Sequence, residues 1–247
     1  YVHTAQLMKM DGGSKRKLSK RKDPELSLSY YRDMGYHPAA VREYLLTILN
    51  SNFEEWRIAN PEADIDQFKF TTEKMSNSGA LFDLDKLNDV SKDVLLRIPA
   101  EELAQFLKNW SDEFAPEYGF MFEDMDYLTQ ILNIGRGDKK PRKDLIYARQ
   151  IVSFISYFFD ESFKIEDKYP EEAAEDADEI LREYLSTYDH SDDQSQWFEK
   201  IREIASSCGY AAKPKDYKKN PDDYKGHVGH VSTVIRIALM GRAQSPD

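Results

Sequence analysis

The sequence is poor in cysteine, in long apolar runs and in anything that marks a secreted start. Its single cysteine in 247 residues, Cys208, leaves no partner for an internal disulfide and no cysteine cluster for zinc, so redox chemistry and structural zinc are set aside. Cys208 sits in an apolar helical stripe, where a thiol packs as a small hydrophobe. No apolar run approaches the roughly 20 residues that a membrane helix needs, so no membrane partner is expected. Tyr1 to Met10 show neither a basic-then-apolar signal pattern nor an initiator Met, as expected of a segment of a longer cytoplasmic protein. What is present, 40% hydrophobic and 32% charged residues, suits a soluble chain with one large core or two modest ones.

The net charge of −11 argues against a nucleic-acid partner only until its distribution is read. Residues 160 to 193 hold 14 acidic and 3 basic side chains, a local −11, so the rest of the chain sums to zero. Within that rest, residues 1 to 22 carry 7 basic residues against 1 acidic, and residues 134 to 149 carry 6 against 2. Both runs are candidate phosphate-facing patches.

Periodicity predicts a mainly α protein. Residues 1–23 read as a mobile basic loop around Gly12 and Gly13, closed by Asp23-Pro24. Helical patterning follows over Glu25 to Arg32, Pro38 to Leu49 and the stretch capped by Ser51-Asn52, with a short strand expected where Phe68 and Phe70 alternate. After about residue 95 the pattern is helical throughout, with five or six helices. One opens at Pro99 with Leu103, Phe106, Leu107 and Trp110 inward. Another spans Tyr118 to Leu132, and a third opens at Pro141 with Leu145, Ala148, Val152, Ile155 and Phe159 on its stripe. Ala174, Ala177, Leu181, Tyr184 and Tyr188 form the next, its acidic face turned to solvent. Trp197, Ile201, Ile204 and Cys208 mark a further helix, and Val231, Ile235, Ala238 and Leu239 the last, ending at Gly241. The expected division is a short leading segment over 1–23, a helical connecting domain over 24–95 and an all-helical bundle over 96–247.

The most informative stretch for chemistry is Lys17-Leu18-Ser19-Lys20-Arg21, preceded by Lys15 and Arg16 and followed by Lys22. Cations either side of a small hydroxyl residue suit a loop that closes on a triphosphate, because phosphoryl or adenylyl transfer is chiefly electrostatic stabilisation of developing charge. The bland alternative is a solvated basic loop.

Residues 17 to 57 resemble the stretch that follows the KMSKS-type loop in bacterial-type glutamyl-tRNA synthetases. The resemblance continues through Gly35-Tyr36-His37-Pro38-Ala39-Ala40-Val41 and Phe82-Asp83-Leu84-Asp85-Lys86-Leu87. It ends on Arg236-Ile237-Ala238-Leu239-Met240-Gly241, similar to that family's terminal R-x-A-L-x-G signature. It is dense over residues 10 to 95 and thinner between 100 and 220. It implies a class I aminoacyl-tRNA synthetase that joins glutamate to tRNA(Glu) with ATP and magnesium. It further implies that Lys20 is the catalytic loop lysine on the α-phosphate, with Lys17, Ser19 and Arg21 shaping the ATP loop, and that the bundle from residue 96 binds the anticodon arm. The family's H-x-G-H motif, glutamate pocket and most of its nucleotide fold would lie upstream. The chain alone is therefore expected to bind tRNA, to act as a monomer and not to aminoacylate.

Given a tRNA partner, the contrast between the acidic stretch and the basic segment makes Arg136, Lys139, Lys140, Arg142 and Lys143, around a Gly-rich helix entrance, candidates for the tRNA backbone, since free helix amides also favour phosphate. His227-Val228-Gly229-His230 copies H-x-G-H letter for letter but follows the lysine loop and opens the last helix, so a helix-start role is expected, and no metal set is completed around it. Lys74-Met75-Ser76-Asn77-Ser78 imitates KMSKS without its second lysine and reads as a capped turn. Two other readings stay open: a helical adaptor whose acidic face meets a basic protein, and a glutaminyl or non-discriminating relative.

Overall fold

The structure, a computed structural model, describes residues 4–75 and 79–244. It is mainly α, with a single three-stranded sheet among the described residues. The chain forms two compact units, residues 1–155 and 156–247. The break between them coincides with neither boundary drawn from sequence, at 23 or at 95.

The first unit opens on a hairpin where sequence predicted a loop. Strand β1 (Leu7–Asp11) pairs antiparallel with β2 (Ser14–Lys17), with Lys9 opposite Arg16. Gly12 and Gly13 form the two-residue turn with φ of 54° and 84°, the doubly left-handed geometry that matches strand twist and that glycine adopts without a Cβ penalty. Strand β3 (Ala80–Leu81) adds in parallel on the other side of β1. Helices α1 (Leu28–Met34), α2 (Pro38–Leu49), α3 (Phe53–Ala59) and α4 (Leu84–Arg97) follow. Leu18, Tyr36, Tyr44, Phe82 and Leu87 form a core shared by the hairpin, α1, α2 and α4, with Ile146 and Tyr147 packed against it. Two of the motifs noted in the sequence supply three helix boundaries. Gly35 ends α1 in the left-handed region, the His37 imidazole and Pro38 start α2, and the Asp83 carboxylate caps α4 through the Asp85 and Lys86 amides at 2.9 and 3.3 Å. A Cβ on Gly35 would come within 2.4 Å of the Ala148 Cβ, so this position tolerates no side chain without movement.

Glu43 ties this unit together. Its Oε1 accepts from Arg57 at 2.7 Å and from Arg97 at 2.6 Å, joining α2, α3 and α4, while Arg57 lies 4.9 Å over the Trp56 ring and also donates to the Ala63 carbonyl at 2.7 Å. The strand expected around Phe68 is absent: Ile65–Gln67 is a 3-10 turn, and Phe68 packs edge-on against Phe53. Beyond it run α5 (Ala100–Phe114), with Leu103, Leu107 and Trp110 buried as expected, and α6 (Met125–Asn133). The single helix read over Tyr118 to Leu132 is two pieces, because Pro116–Phe122 is a 3-10 helix and the Asp124 carboxylate starts α6 afresh on the Tyr127 amide. Helix α7 (Ala148–Phe154) begins seven residues after Pro141. Residues 141–147 are held non-helical: the Ser91 hydroxyl donates to the Ile146 carbonyl at 2.5 Å and the Ala148 amide to the Gly35 carbonyl at 2.8 Å.

The second unit packs α8 (Ala177–Thr187), α9 (Gln194–Ser207) and α11 (Val228–Met240) around Ile180, Tyr184, Ile201, Ile204, Cys208, Val231 and Ile235, with the short α10 (Pro214–Lys219) inserted before α11. Asp178, Glu179 and Glu183 on α8 face solvent, as the charge pattern required, whereas Ala174 precedes the helix and Tyr188, expected on the stripe, is exposed. Cys208 is buried, and burial raises its thiol pKa. No helix among the described residues is long and apolar enough to cross a membrane.

The H-x-G-H look-alike starts α11. His227 Nδ1 accepts from the Gly229 amide at 3.0 Å and His230 Nδ1 accepts from the His227 amide at 3.3 Å, the rings stacking 4.1 Å apart with Tyr217 edge-on to both. Burial first, then the neighbouring His230, lower the His227 pKa, against the opposing pull of Glu172. A depressed histidine pKa means that the unfolded chain binds the proton more readily. The contribution is therefore present above about pH 6.5 and falls away below it. His227→Asn, which caps equally well without titrating, should lose less stability than the parent chain between pH 7 and 5 in urea unfolding; parallel curves would refute this role.

Candidate functional site

The lysine loop is suspended from the sheet by one buried side chain. Leu18 is 3% exposed, and its amide donates to the Leu7 carbonyl at 3.0 Å, extending the β1–β2 pairing by one step. Because side chains alternate along an extended strand, burying Leu18 turns Lys17 outward and leaves Ser19 half-buried. The chain then closes a tight turn: the Ser19 carbonyl accepts from the Lys22 amide at 3.0 Å and from the Asp23 amide at 2.8 Å. Lys20, Arg21 and Lys22 occupy its apex and are exposed.

Asp23, read from the sequence only as half of the Asp23-Pro24 pair that ends the loop, locks this turn. It is 2% exposed, accepts from the Ser19 amide at 2.7 Å, and takes both terminal nitrogens of Arg16 at 2.7 and 2.8 Å. The Arg16 guanidinium and then the Ser19 amide hold its carboxyl well below the usual carboxylate range, and Asp23 and Asp11 in turn raise Arg16. Lys9, opposite Arg16 on β1, pairs with Glu25, which raises the lysine pKa. Arg16 and Lys9 are thus internally neutralised, and Lys17, Lys20, Arg21 and Lys22 are left facing solvent as the cationic part of the loop. The only sequence sign of the lock is an aspartate four residues beyond the serine, which has no motif value by itself.

The second basic patch is reorganised by the fold. Arg136 turns inward and donates to the carbonyls of Leu95 and Leu96 at 2.8 and 2.9 Å and to that of Ile98, closing the end of α4; burial lowers its pKa. Arg142 pairs with Asp144 and lies 5.1 Å over Phe154. Lys143 pairs with Asp93 at 2.8 Å with both side chains about half exposed. Lys139 and Lys140 are exposed. The helix entrance on which this patch was predicted to sit is not there, since α7 starts only at Ala148 and Tyr147 precedes it. The patch presents lysine side chains, not helix amides.

No protein-family model matches the chain. It is 67% identical over 249 aligned residues to a glutamate–tRNA ligase of Acetivibrio thermocellus, and 45% identical over 253 to one of Clostridium perfringens, in each case across 100% of this chain and 46% of the relative. The structure of a glutamate tRNA ligase from Elizabethkingia meningosepticum in complex with its amino acid superposes with a TM-score of 0.61 at 19% identity, covering 99% of this chain and 46% of that one, a likeness of fold. The chain spans under half the length of the relatives it matches. These relatives are aminoacyl-tRNA synthetases. Within that class the chain belongs to the glutamate–tRNA ligase family, of whose members it matches the carboxy-terminal part. That membership, and not an adaptor built on an acidic face, accounts for the whole chain.

Proposed function

We propose that the chain works as the carboxy-terminal part of an enzyme that activates glutamate with ATP and passes it to tRNA(Glu). The reading is carried by the exposed Lys17, Lys20 and Arg21 on a turn fixed from beneath. In activation the glutamate carboxylate attacks the α-phosphorus, pyrophosphate leaves, and negative charge builds on the oxygens between. Lys20 meets that charge, Lys17 and Arg21 draw in the triphosphate, and Ser19 shapes the turn, its hydroxyl lying 3.4 Å from the Arg21 amide. Such groups act by electrostatic stabilisation of the transition state. Magnesium would arrive with the nucleotide. The helices from residue 96 onward would serve the anticodon arm, in a monomeric cytoplasmic enzyme.

The tRNA backbone is proposed to meet the first unit at Lys139, Lys140 and Lys143, with Arg136 and Arg142 supporting that segment from inside. Replacing the three lysines with glutamine should weaken tRNA binding and flatten its salt dependence, each lost phosphate contact removing roughly 0.7 to 0.9 from the log–log slope. Exposed ion pairs such as Lys143 with Asp93 contribute about 0 to 1 kcal/mol, so the fold should survive. Unchanged affinity and slope, with an unchanged circular dichroism spectrum, would mean that the backbone docks elsewhere. The same purified chain should show no glutamate-dependent exchange of pyrophosphate into ATP; measurable exchange would refute its dependence on a separate nucleotide-binding half.

A further inference from the structure

The loop lysines need a defined position to act on one phosphorus atom, yet they are long, exposed and at the apex of a turn. What fixes that apex is a network below it. Asp23 accepts from the Ser19 amide at 2.7 Å and its own amide donates back to the Ser19 carbonyl at 2.8 Å, so residues 19 and 23 clamp each other across Lys20, Arg21 and Lys22. The carboxylate is 2% exposed and held from the other side by both terminal nitrogens of Arg16 on β2, which also bonds Asp11 beside the hairpin turn. Bidentate arginine pairs fix geometry as well as charge. The same pairing cancels the Asp23 charge, which would otherwise offset the positive field of the loop.

We propose that Asp23, backed by Arg16, is a positioning residue for glutamate activation: it never touches ATP, and it sets where Lys20 stands when the α-phosphate charge develops. The inference rests on the lysine-loop reading above. An asparagine at this position keeps the size but loses one acceptor and the charge-assisted pairing, so the turn should loosen without unfolding the sheet. Misplacing a catalytic group by about 1 Å can cost on the order of 100-fold.

The test compares Asp23→Asn, Asp23→Glu and Lys20→Ala in a full-length ligase carrying these residues, measuring pyrophosphate exchange and, separately, transfer to tRNA from supplied glutamyl-adenylate. For Asp23→Asn, the rate constant of exchange is expected to fall roughly 10- to 100-fold with the ATP KM changed less than about threefold. Transfer should be preserved, because the α-phosphate step is already complete. Asp23→Glu, which restores the charge one methylene out of place, should recover part of the loss. An equal fall in exchange and transfer, or exchange untouched by Asp23→Asn while Lys20→Ala abolishes it, would overturn the proposal and leave the loop reading standing. Exchange untouched by Lys20→Ala would overturn the loop reading itself.

Discussion

Lys20→Ala in a full-length ligase built on this chain is expected to slow glutamate activation by roughly 100- to 1,000-fold, the range seen when one preorganised donor to a developing charge is removed. Lys20 is exposed and lies on a turn locked by Asp23, so the substitution removes an ammonium group and little packing. An interaction realised only in the transition state lowers the rate constant and leaves ground-state affinity nearly alone. The ATP KM and tRNA Kd should therefore move by less than about threefold while exchange collapses. A large KM effect with the rate constant intact would assign Lys20 to simple substrate binding, and an unchanged rate would remove it from the chemistry.

The largest effect on stability is expected at Glu43. It is 6% exposed and its Oε1 receives two guanidinium groups, Arg57 with its side chain 13% exposed and Arg97 with its side chain 23% exposed. Removing one partner of a buried ion pair typically costs about 3 to 5 kcal/mol, because the opposite charge is left desolvated. Two arginines would be stranded here, but both retain some solvent and Arg57 keeps its carbonyl at Ala63 and its place over Trp56. The lower end of that range, about 3 kcal/mol, is the expected loss for Glu43→Ala, read as a shift in denaturation midpoint at unchanged slope. A loss below about 1 kcal/mol would show that water already screens this triad.

Much of the helical framework was legible because strong apolar periods and local caps agree. The last helix is one case, where the stripe through Val231 and Ile235 ends on Gly241 with φ of 75°. The errors occur where distant contacts overrule a local pattern. Leu145, Ala148 and Val152 fit a helical stripe from Pro141, yet Ser91 and Gly35 claim the backbone of Ile146 and Ala148, and neither is near in sequence. Phe68 alternates with Phe70 like a strand but is drawn onto Phe53. The opening hairpin was available from Gly12-Gly13 between two short runs, the spacing of a two-residue turn, and was obscured by the lysines and arginine of β2. In the lysine loop, Lys17, Ser19, Lys20 and Arg21 are proposed from the motif alone, whereas the burial of Asp23 against Arg16 is visible only in the fold. Arg136 shows the reverse failure, a charge counted for the surface and used within the fold.

The packing of Ile146 and Tyr147 against the core that also holds Leu18 bears on how such proteins can be recombined. A chimera that exchanges residues up to 95 between two relatives would join one parent's Tyr36 and Leu87 to the other's Ile146 and Tyr147, and would put the root of the lysine loop on a mismatched bed. The compact unit that holds both the loop and these packing partners runs to residue 155. Residues around Tyr147 and the root of the loop share one core although more than a hundred positions separate them, so substitutions in the two stretches are expected to covary across diverging lineages.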